Sequence, residues 1–400
     1  MKLQAMAPYQ DRLREFASDL ACGLGKVSAK FVEDGLLGIY RAKSVNLTEV
    51  ARTLDENITI HATQKRLSRN LGHPELGRMI AANLLTFAAR RVRQDTMLAV
   101  HVRDLKKRYA RKMQYLLPAD ESPNSDFSGY RICEIVACKP GTDRYTPIAS
   151  HLWSSHAPTF VSDSAEIIAT IEQVLSATNG RGIIYPHIGV RELNLSATDL
   201  IALTGVRALF NVTGSFPELE HSNWIHNKRS VSHSDLVDAS KTPYGVTIYK
   251  MHRNGVEESV FCEVGSVSAE PADSSGKLGS FMVVRYDSPS LRDVPKIPHT
   301  LFSTSPLKNT RDKLVEILAG HASIIATVAA NVEHKDAYNL SGFRVLSFER
   351  MRTLLTLLQA VTFFDTAVTR RCRVEGTGFS LQPLPGDHPR TFLIPESVNV

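Results

Sequence analysis

The stretch Leu98–Met113 contains the residues of this chain that are best placed to do chemistry. The apolar run over residues 98–100 predicts a buried strand, and polar side chains follow it at His101 and Asp104. A carboxylate at the end of such a strand is a common ligand for catalytic divalent metals, but the residue at that place here is a histidine. The strand leads into a basic segment that is predicted to contact a polyanion: Lys106, Lys107, Arg108, Arg111 and Lys112.

Length and composition are those of an ordinary globular protein. The chain has 400 residues, of which 43% are hydrophobic and 22% charged, and its length predicts about two or three domains. No run approaches the roughly 20 apolar residues that span a bilayer, and no apolar segment typical of a signal peptide follows the first lysine. Five scattered cysteines favour reduced thiols. We therefore expect a cytoplasmic protein, associated with the nucleoid if it binds DNA, and no membrane partner.

The net charge of +6 is unevenly distributed along the chain. Residues 1–113 contain 21 Lys and Arg against 11 Asp and Glu, whereas the rest contains 26 against 30. A cationic first quarter on a mildly acidic body favours a polyanionic partner, most simply nucleic acid. A solvated helical surface is the alternative interpretation.

Residues 1–95 have the periodicity of helices and are predicted to form a DNA-binding domain. Asn46 caps a short helix over Leu47–Leu54, and a second helix over His61–Leu71 ends at Gly72. A short helix, a turn and a longer basic helix are typical of a helix-turn-helix, although ordinary helical hairpins share the pattern. The side chains of the second helix that suit base edges and phosphates are Thr63, Gln64, Lys65, Arg66, Arg69 and Asn70.

A further amphipathic helix is predicted over Leu76–Val92. It finishes in three arginines that are also predicted to contact DNA: Arg90, Arg91 and Arg93.

From Leu98 the pattern changes to that of an α/β protein. Residues 96–214 contain strand, hairpin, helix, strand, helix and strand patterns in that order. Residues 215–305, where short strand patterns alternate with Ser/Gly/Pro-rich turns, predict an all-β insertion. Residues 306–372 are predicted to be helical, and residues 373–400 to be a tail.

Several segments resemble the bacterial insertion-sequence transposases of the DDE type that carry a Tyr-Arg-Glu-Lys signature. The segments are HVRDLKKRYARKMQYL, GYRICEIVA, APTFVSDSAEI, GRGIIYPHIG and HKDAYNLSGFRVLSFERMRTLLTLLQAVTFF. They follow the order and spacing of that family between about residues 45 and 366. The resemblance implies a helical DNA-binding domain followed by a ribonuclease-H-like domain with an all-β insertion. It also implies double-stranded DNA as the partner and a homodimer as the working unit.

The chemistry of that family needs three carboxylates around two divalent metal ions. By the resemblance, the first aspartate corresponds to His101 and the second to His187 in YPHIG. The glutamate of the signature corresponds to Val328, its tyrosine to His321, and only Lys335 matches, where it is expected to contact DNA. Neutral imidazole is a poor ligand for Mg²⁺ and valine is none. We therefore expect no catalytic residues, no metal and no cofactor.

Two ways of restoring a metal site stay open from the sequence. His101 and His187 could hold zinc if Asp104 or His321 supplied a third ligand. Glu333 lies just over one helical turn beyond Val328 and could stand in for the missing glutamate, although the two aspartates would still be absent.

The sequence thus predicts a catalytically inactive, transposase-derived protein that occupies specific DNA sites and regulates transcription. An inhibitor of a related active transposase, acting by competition for DNA ends or by mixed dimers, is a close variant. A metalloenzyme rebuilt around the histidines is the alternative from another class. An interaction protein without DNA recognition is disfavoured by the basic first quarter.

Overall fold

Five helices form the beginning of the chain in the computed structural model. They are α1 (Ala7–Leu20), α2 (Lys26–Ala42), α3 (Leu47–Leu54), α4 (Ile60–Leu71) and α5 (Leu76–Ala89). The structure describes residues 7–73, 75–107, 112–117, 129–138, 144–187, 197–202, 207–252, 255–272, 278–287, 298–308, 310–369, 376–380 and 391–395.

Local signals set the bounds of α3 and α4. The side chains of Asn46 and Thr59 each accept a hydrogen bond from a backbone amide in the first turn of the helix that follows. Asp55, directly after α3, has a φ of 50°, and this left-handed residue ends the helix. The predicted helix over Leu47–Leu54 is confirmed, and the predicted second helix begins one residue earlier than expected, at Ile60.

The next part of the chain builds a four-stranded sheet. Its strands are β1 (Met97–Lys106), β2 (Gly129–Cys138), β3 (Tyr145–Trp153) and β4 (Ile183–Pro186), in the spatial order β3-β2-β1-β4. The first three strands pair antiparallel, and β4 returns parallel to β1 after helix α6 (Asp163–Thr178). A parallel bridge between Ile184 and Ala208 then leads to β5 (Leu209–Asn211), after the short helix α7 (Ala197–Ala202). The prediction of a mixed helix-and-sheet protein is confirmed.

A second sheet continues from β5 in the order β13-β12-β8-β9-β10-β11-β5. Its longer strands are β8 (Tyr244–His252), β9 (Gly255–Pro271), β10 (Gly279–Asp287) and β11 (His299–Ser303). A hairpin of β6 (Trp224–His226) and β7 (Arg229–Val231) pairs with the end of β9. Because β11 pairs with β5, the second sheet begins where the first one ends.

The prediction that residues 215–305 are all-β is wrong. The structure has helices α8 (Val212–Ser215), α9 (Pro217–His221) and α10 (His233–Ala239) in or beside this segment. Ser232 and Asp235 form a reciprocal capping box at the start of α10. A serine followed three residues later by an acidic residue is a known start signal for a helix, but the Ser-rich sequence around it favoured the prediction of turns.

The prediction of a tail over residues 373–400 also needs correction. Strands β12 (Gly376–Ser380) and β13 (Thr391–Pro395) lie there and pair with each other. Strand β12 also pairs with β8, so it covers an edge of the second sheet that would otherwise be open to solvent.

Two long helices complete the fold. Helix α11 (Arg311–Asp336) leads through a 3₁₀ turn (Leu340–Gly342) to α12 (Phe348–Phe363), which ends in a π-helical turn (Phe364–Val368). Helix α12 packs against α2, α4, α5 and β3, and one hydrophobic core extends from Leu13 in α1 to Ala367. The helices before the predicted domain boundary at residues 95 and 96 and the elements after it therefore share one hydrophobic core.

One segment of the described chain, Asp312–Gly342, is long and apolar enough to cross a membrane by those two criteria alone. In this structure 75% of its apolar window is buried against the rest of the protein, as in the core helix of a globular fold.

Candidate functional site

The middle of β1 and the end of β4 bring two histidines together. His101 lies in β1 opposite Glu134 of β2, and His187 directly follows β4. The His187 backbone amide donates to the Val100 carbonyl (2.8 Å), which fixes the strand end beside β1. The two imidazole rings are 6.0 Å apart, centroid to centroid. The expectation that His101 and His187 lie near each other is confirmed.

Two more histidines extend this group across the junction of the sheets. His321 of α11 and His299 of β11 face each other with their Nε2 atoms 3.0 Å apart. The Tyr185 hydroxyl of β4 lies 2.7 Å from His321 Nδ1, and the Thr213 hydroxyl lies 3.0 Å from His299 Nδ1. We refer to His101, His187, His299 and His321, with Tyr185, as the histidine cluster.

His299 is the member of the histidine cluster that sequence reasoning missed. It reaches the cluster because β11 pairs with β5, which lies beside β4. A pairing between strands so far apart in sequence leaves no local pattern that would reveal it.

Burial keeps three of these imidazoles, those of His187, His299 and His321, neutral. It lowers the pKa of His187 to about 4, with a smaller contribution from the neighbouring His101. Burial also lowers the pKa of His299 to about 4 and that of His321 well below its ordinary value. Since the two facing Nε2 atoms are at hydrogen-bond distance, one carries a proton and the other accepts it. At neutral pH the members of the cluster can form hydrogen bonds with one another, but they supply no negative charge that would hold a divalent cation.

The other positions considered for a metal site are an apolar side chain, a carboxylate beside an arginine and an exposed carboxylate. Val328 is 5% exposed and packs in the apolar cluster that contains Met97 and Ala99. Asp104 lies 4.0 Å from Arg131, and Glu333 is exposed on α11. Within the residues that the structure describes, no group of three or more His, Cys, Asp or Glu side chains is arranged to hold a metal ion.

A network of charged side chains next to His101 connects β1, β2 and α11. The Lys335 ammonium pairs with the Glu134 carboxylate, and the other oxygen of that carboxylate accepts from Arg103 Nε at 3.2 Å. Lys335 is 0% and Glu134 1% exposed. Burial alone would raise the pKa of Glu134, but Lys335 and Arg103 outweigh it and lower the pKa to about 2. We refer to Glu134, Lys335 and Arg103 as the buried ion network.

Lys335 was expected to contact DNA, and its burial contradicts this. Its ammonium group is fully enclosed and neutralised by a carboxylate from β2, so it does not reach the surface. Lys335 therefore serves the interior of the fold. The carboxylate of Glu134 is likewise committed on both oxygens, and so it does not serve as a free ligand beside His101.

Fewer side chains of helix α4 are exposed than its sequence predicts. Thr63 is 1% exposed and donates to Glu56, so its predicted DNA contact is wrong. Arg66 donates to Asp34 (2.9 Å) and Glu56 (2.6 Å), which ties its guanidinium to the N-terminal helices. Gln64 and Asn70 are half-buried.

The exposed stripe of α4 consists of His61, Lys65 and Arg69 at four-residue spacing. Sequence reasoning identified Lys65 and Arg69 but missed His61, which the same spacing could have indicated.

The basic segment after β1 is divided between surface and interior. Lys106 and Lys112 are exposed, whereas Arg108 and Arg111 lie outside the described residues. The Lys107 ammonium donates to the Ser341 carbonyl (2.6 Å) and the Phe343 carbonyl (2.5 Å). Burial and Arg344 lower the pKa of Lys107. The prediction that Lys107 contacts DNA is wrong, because its ammonium group binds the turn between α11 and α12.

The three arginines at the end of α5 are exposed and line a cleft of about 700 Å³ together with residues of α1 and the end of α12. Their predicted contact with DNA stays a prediction.

Comparisons with solved structures show a protein of similar fold. No protein-family model matches it, and no curated protein matches it. The cryo-EM structure of the piggyBac transposase synaptic complex with hairpin DNA is similar, with a TM-score of 0.36 and 10% sequence identity. The similarity covers 84% of this chain and 67% of that chain.

Proposed function

We propose that this chain is a transposase-derived DNA-binding protein that does not cleave DNA and acts by occupying specific duplex sites. The observation that carries the proposal is the replacement of acids by His101, His187 and Val328 at the positions where the resemblance requires them. His101, within β1, and His187, directly after β4, lie near each other on two parallel neighbouring strands.

The strand order supports the ribonuclease-H-like part of the proposal. Three antiparallel strands, a crossover helix and two strands parallel to the first, in the order β3-β2-β1-β4-β5, are the arrangement that such a domain requires. In that arrangement the ends of β1 and β4 hold the first two metal ligands, and α11 would bring the third. Val328 lies on α11 in an apolar environment.

The donor chemistry of these residues does not suit the reaction. Strand cleavage of this type uses two hard divalent cations that are held by carboxylate oxygens. The imidazoles are neutral because burial lowers the pKa of His187 and His299 to about 4. They supply neither the negative charge nor the oxygen atoms that Mg²⁺ prefers, and so we infer that the enzyme activity of the resembled family is lost.

DNA binding is supported by the charge of the first quarter and by the exposed stripe of α4. Residues 1–113 carry 21 basic against 11 acidic side chains, and Lys65 and Arg69 point outward from the second helix of the helix-turn-helix pattern. Such charge provides the sequence-independent part of binding, and half-buried Gln64 and Asn70 are the candidates for base contacts. We infer a homodimer on a paired DNA element in the cytoplasm.

The test of DNA binding compares two charge reversals. Lys65→Glu with Arg69→Glu should abolish binding of the wild-type target site, because reversed charge repels the phosphates. Lys228→Glu with Arg229→Glu changes the net charge equally at an exposed turn between β6 and β7 and should leave affinity nearly unchanged. Targets come from genome-wide immunoprecipitation of the tagged protein. Equal affinities for wild type and the α4 variant would overturn the helix-turn-helix assignment.

The test of catalytic inactivity is a supercoiled-plasmid assay that contains the target site, in Mg²⁺ and in Mn²⁺. We expect no nicking or linearisation by the wild type. Cleavage that disappears in His101→Ala and His187→Ala, together with metal in the purified protein by elemental analysis, would instead establish the rebuilt metalloenzyme.

A transcription regulator and a transposase inhibitor can be distinguished by expressing this protein in cells that carry a related active element and measuring two quantities. A regulator changes transcription next to its bound sites, whereas an inhibitor lowers the transposition frequency of a related element. Regulation and inhibition by competition for DNA ends both need the α4 stripe, so the Lys65→Glu, Arg69→Glu variant should lose both effects. Inhibition that persists in this variant would indicate mixed dimers.

A further inference from the structure

A cleft of about 700 Å³ lies between α1, the end of α5 and the end of α12. Four arginines line it: Arg12 from α1, and Arg90, Arg91 and Arg93 from the end of α5. This volume is within the usual range of small-molecule sites, roughly 300–1,000 Å³. Its lining includes no residue of the α4 stripe or of the histidine cluster.

The cleft has an excess of positive charge. Its two lining carboxylates are Glu15 and Asp19, against four guanidinium groups. Among the described residues neither Arg90 nor Arg93 has a carboxylate within ion-pair distance, and Arg12 donates to the Val368 carbonyl (3.0 Å). Guanidinium groups gathered without counter-charges repel one another, and an anion that enters between them relieves that repulsion.

Aromatic rings fix the direction of two of these arginines. The Arg90 guanidinium lies 5.4 Å from the centroid of the Phe87 ring, and that of Arg91 lies 5.9 Å from Phe363. Phe363 in turn stacks on Phe16 at 5.8 Å. A guanidinium group held against a ring, as that of Arg90 is, can still direct its N–H donors at an anion, and the half-buried Phe87 ring is a surface on which a heterocycle stacks.

We propose that this cleft binds a free nucleotide, with its phosphates on Arg90 and Arg93 and its base against Phe87. The arginines select the phosphates, and the aromatic wall selects a flat ring over a simple anion. A nucleotide unit could also be presented by the end of a DNA strand. A duplex is too wide for a cleft of about 700 Å³, so the free ligand fits its size better.

The proposal is independent of the DNA-occupancy function, since it depends on α1, α5 and α12 alone. A bound nucleotide would connect these helices across the cleft. It would act as an effector that the proposed function does not require.

The test is a calorimetric titration of the full chain with ATP, with inorganic pyrophosphate, and with a short single-stranded oligonucleotide. Wild type should bind ATP more tightly than pyrophosphate. Arg90→Gln with Arg93→Gln should weaken ATP binding by roughly tenfold or more, as expected for the loss of charge-assisted hydrogen bonds. Phe87→Leu should weaken ATP binding and leave pyrophosphate binding unchanged.

Arg78→Gln is the matched control, because Arg78 lies on the same helix and pairs with Glu75 away from the cleft. Its ATP affinity should equal that of the wild type, and thermal unfolding shows whether each variant is folded. Absence of ATP binding by wild type would overturn the proposal, as would binding of the oligonucleotide alone. The Lys65→Glu, Arg69→Glu variant should still bind ATP, so failure of the nucleotide proposal and failure of the DNA proposal are separable.

Discussion

The histidine cluster and the buried ion network are neighbours that accommodate titratable groups in opposite ways. Glu134 is the register partner of His101 on the adjacent strand and belongs to a set of full charges, whereas the His187, His299 and His321 rings of the histidine cluster are kept neutral by burial. Burial lowers the pKa of His187 and His299 to about 4, whereas Lys335 and Arg103 lower the pKa of Glu134 to about 2. A group without a counter-charge gives up its charge, and a group with one keeps it.

This difference bears on function. The resembled enzymes need carboxylates where this chain has His101 and His187. Glu134, the register partner of His101, is neutralised by Lys335 and Arg103. The charges in this part of the sheet are therefore paired inside the fold, whereas Lys65 and Arg69 of α4 are exposed.

The largest effect should come from Lys335→Met. This change leaves Glu134 buried with Arg103 as its remaining cation, and we expect a loss of about 3–5 kcal/mol in the free energy of unfolding. Urea unfolding, followed by circular dichroism, measures it.

Two variants serve as controls for Lys335→Met. Lys313→Met breaks an exposed pair with Glu316 on the same helix, and its effect should be below about 1 kcal/mol. The double variant Glu134→Gln with Lys335→Met removes both charges and should recover most of the stability. A single variant as stable as the wild type would mean that the pair is not buried as described.

The outcome for Lys335 shows where sequence reasoning stops. The bounds of α3 were predicted closely because its cap, Asn46, acts on the first turn, within a few residues, whereas the cap of α4, Thr59, was missed and that helix begins one residue earlier than predicted. Lys335 was matched to a motif, but its partner Glu134 lies 201 residues away. Burial of that pair depends on how α11 packs on β2, and no local pattern contains this information.

The candidate site was predicted in part for the same reason. His101 and His187 could be placed together because their strands follow a known parallel arrangement. His299 could not, since the pairing of β11 with β5 depends on the second sheet. On α4, the periodicity of the sequence did not distinguish the exposed Lys65 from Thr63, which is buried and donates a hydrogen bond to Glu56.

Acidification should act on the histidine cluster before it acts on the buried ion network. Unfolded histidines bind protons near pH 6.5, while folded His187 and His299 do so at about pH 4. Between these values the unfolded state holds more protons, so stability falls as pH falls, by about 1.4 kcal/mol per pH unit for each extra proton. The groups that face these rings are His101, His321 and the Tyr185 hydroxyl.

The measurement is urea unfolding at several pH values between 7.5 and 4.5, above the range in which Glu134 titrates. His187→Gln with His299→Gln should flatten the dependence, whereas His73→Gln, at an exposed position, should not. Ring signals of His187 and His299 that titrate near pH 6.5 by NMR would contradict the neutral cluster.

The smallest effects should come from the two ends of the hydrogen-bonded chain through His321 and His299. Tyr185→Phe removes the hydroxyl at His321 Nδ1, and Thr213→Val removes the hydroxyl at His299 Nδ1. Tyr185→Phe should lower the free energy of unfolding by about 1 kcal/mol, the net contribution of one hydrogen bond. Thr213→Val should have a somewhat larger effect, because the Thr213 hydroxyl also accepts from the Thr300 backbone amide (3.2 Å).

The double variant of Tyr185 and Thr213 tests whether the histidines act as one unit. If Tyr185 donates to His321, then His321 donates to His299, and His299 donates to Thr213, so the tautomer at one end fixes the tautomer at the other. Loss of either hydroxyl frees both rings to change tautomer, and the second loss should then have a smaller effect than the first. Strictly additive losses in urea unfolding would mean that the two rings are hydrogen-bonded independently, and the cluster would then be a set of separately buried neutral groups.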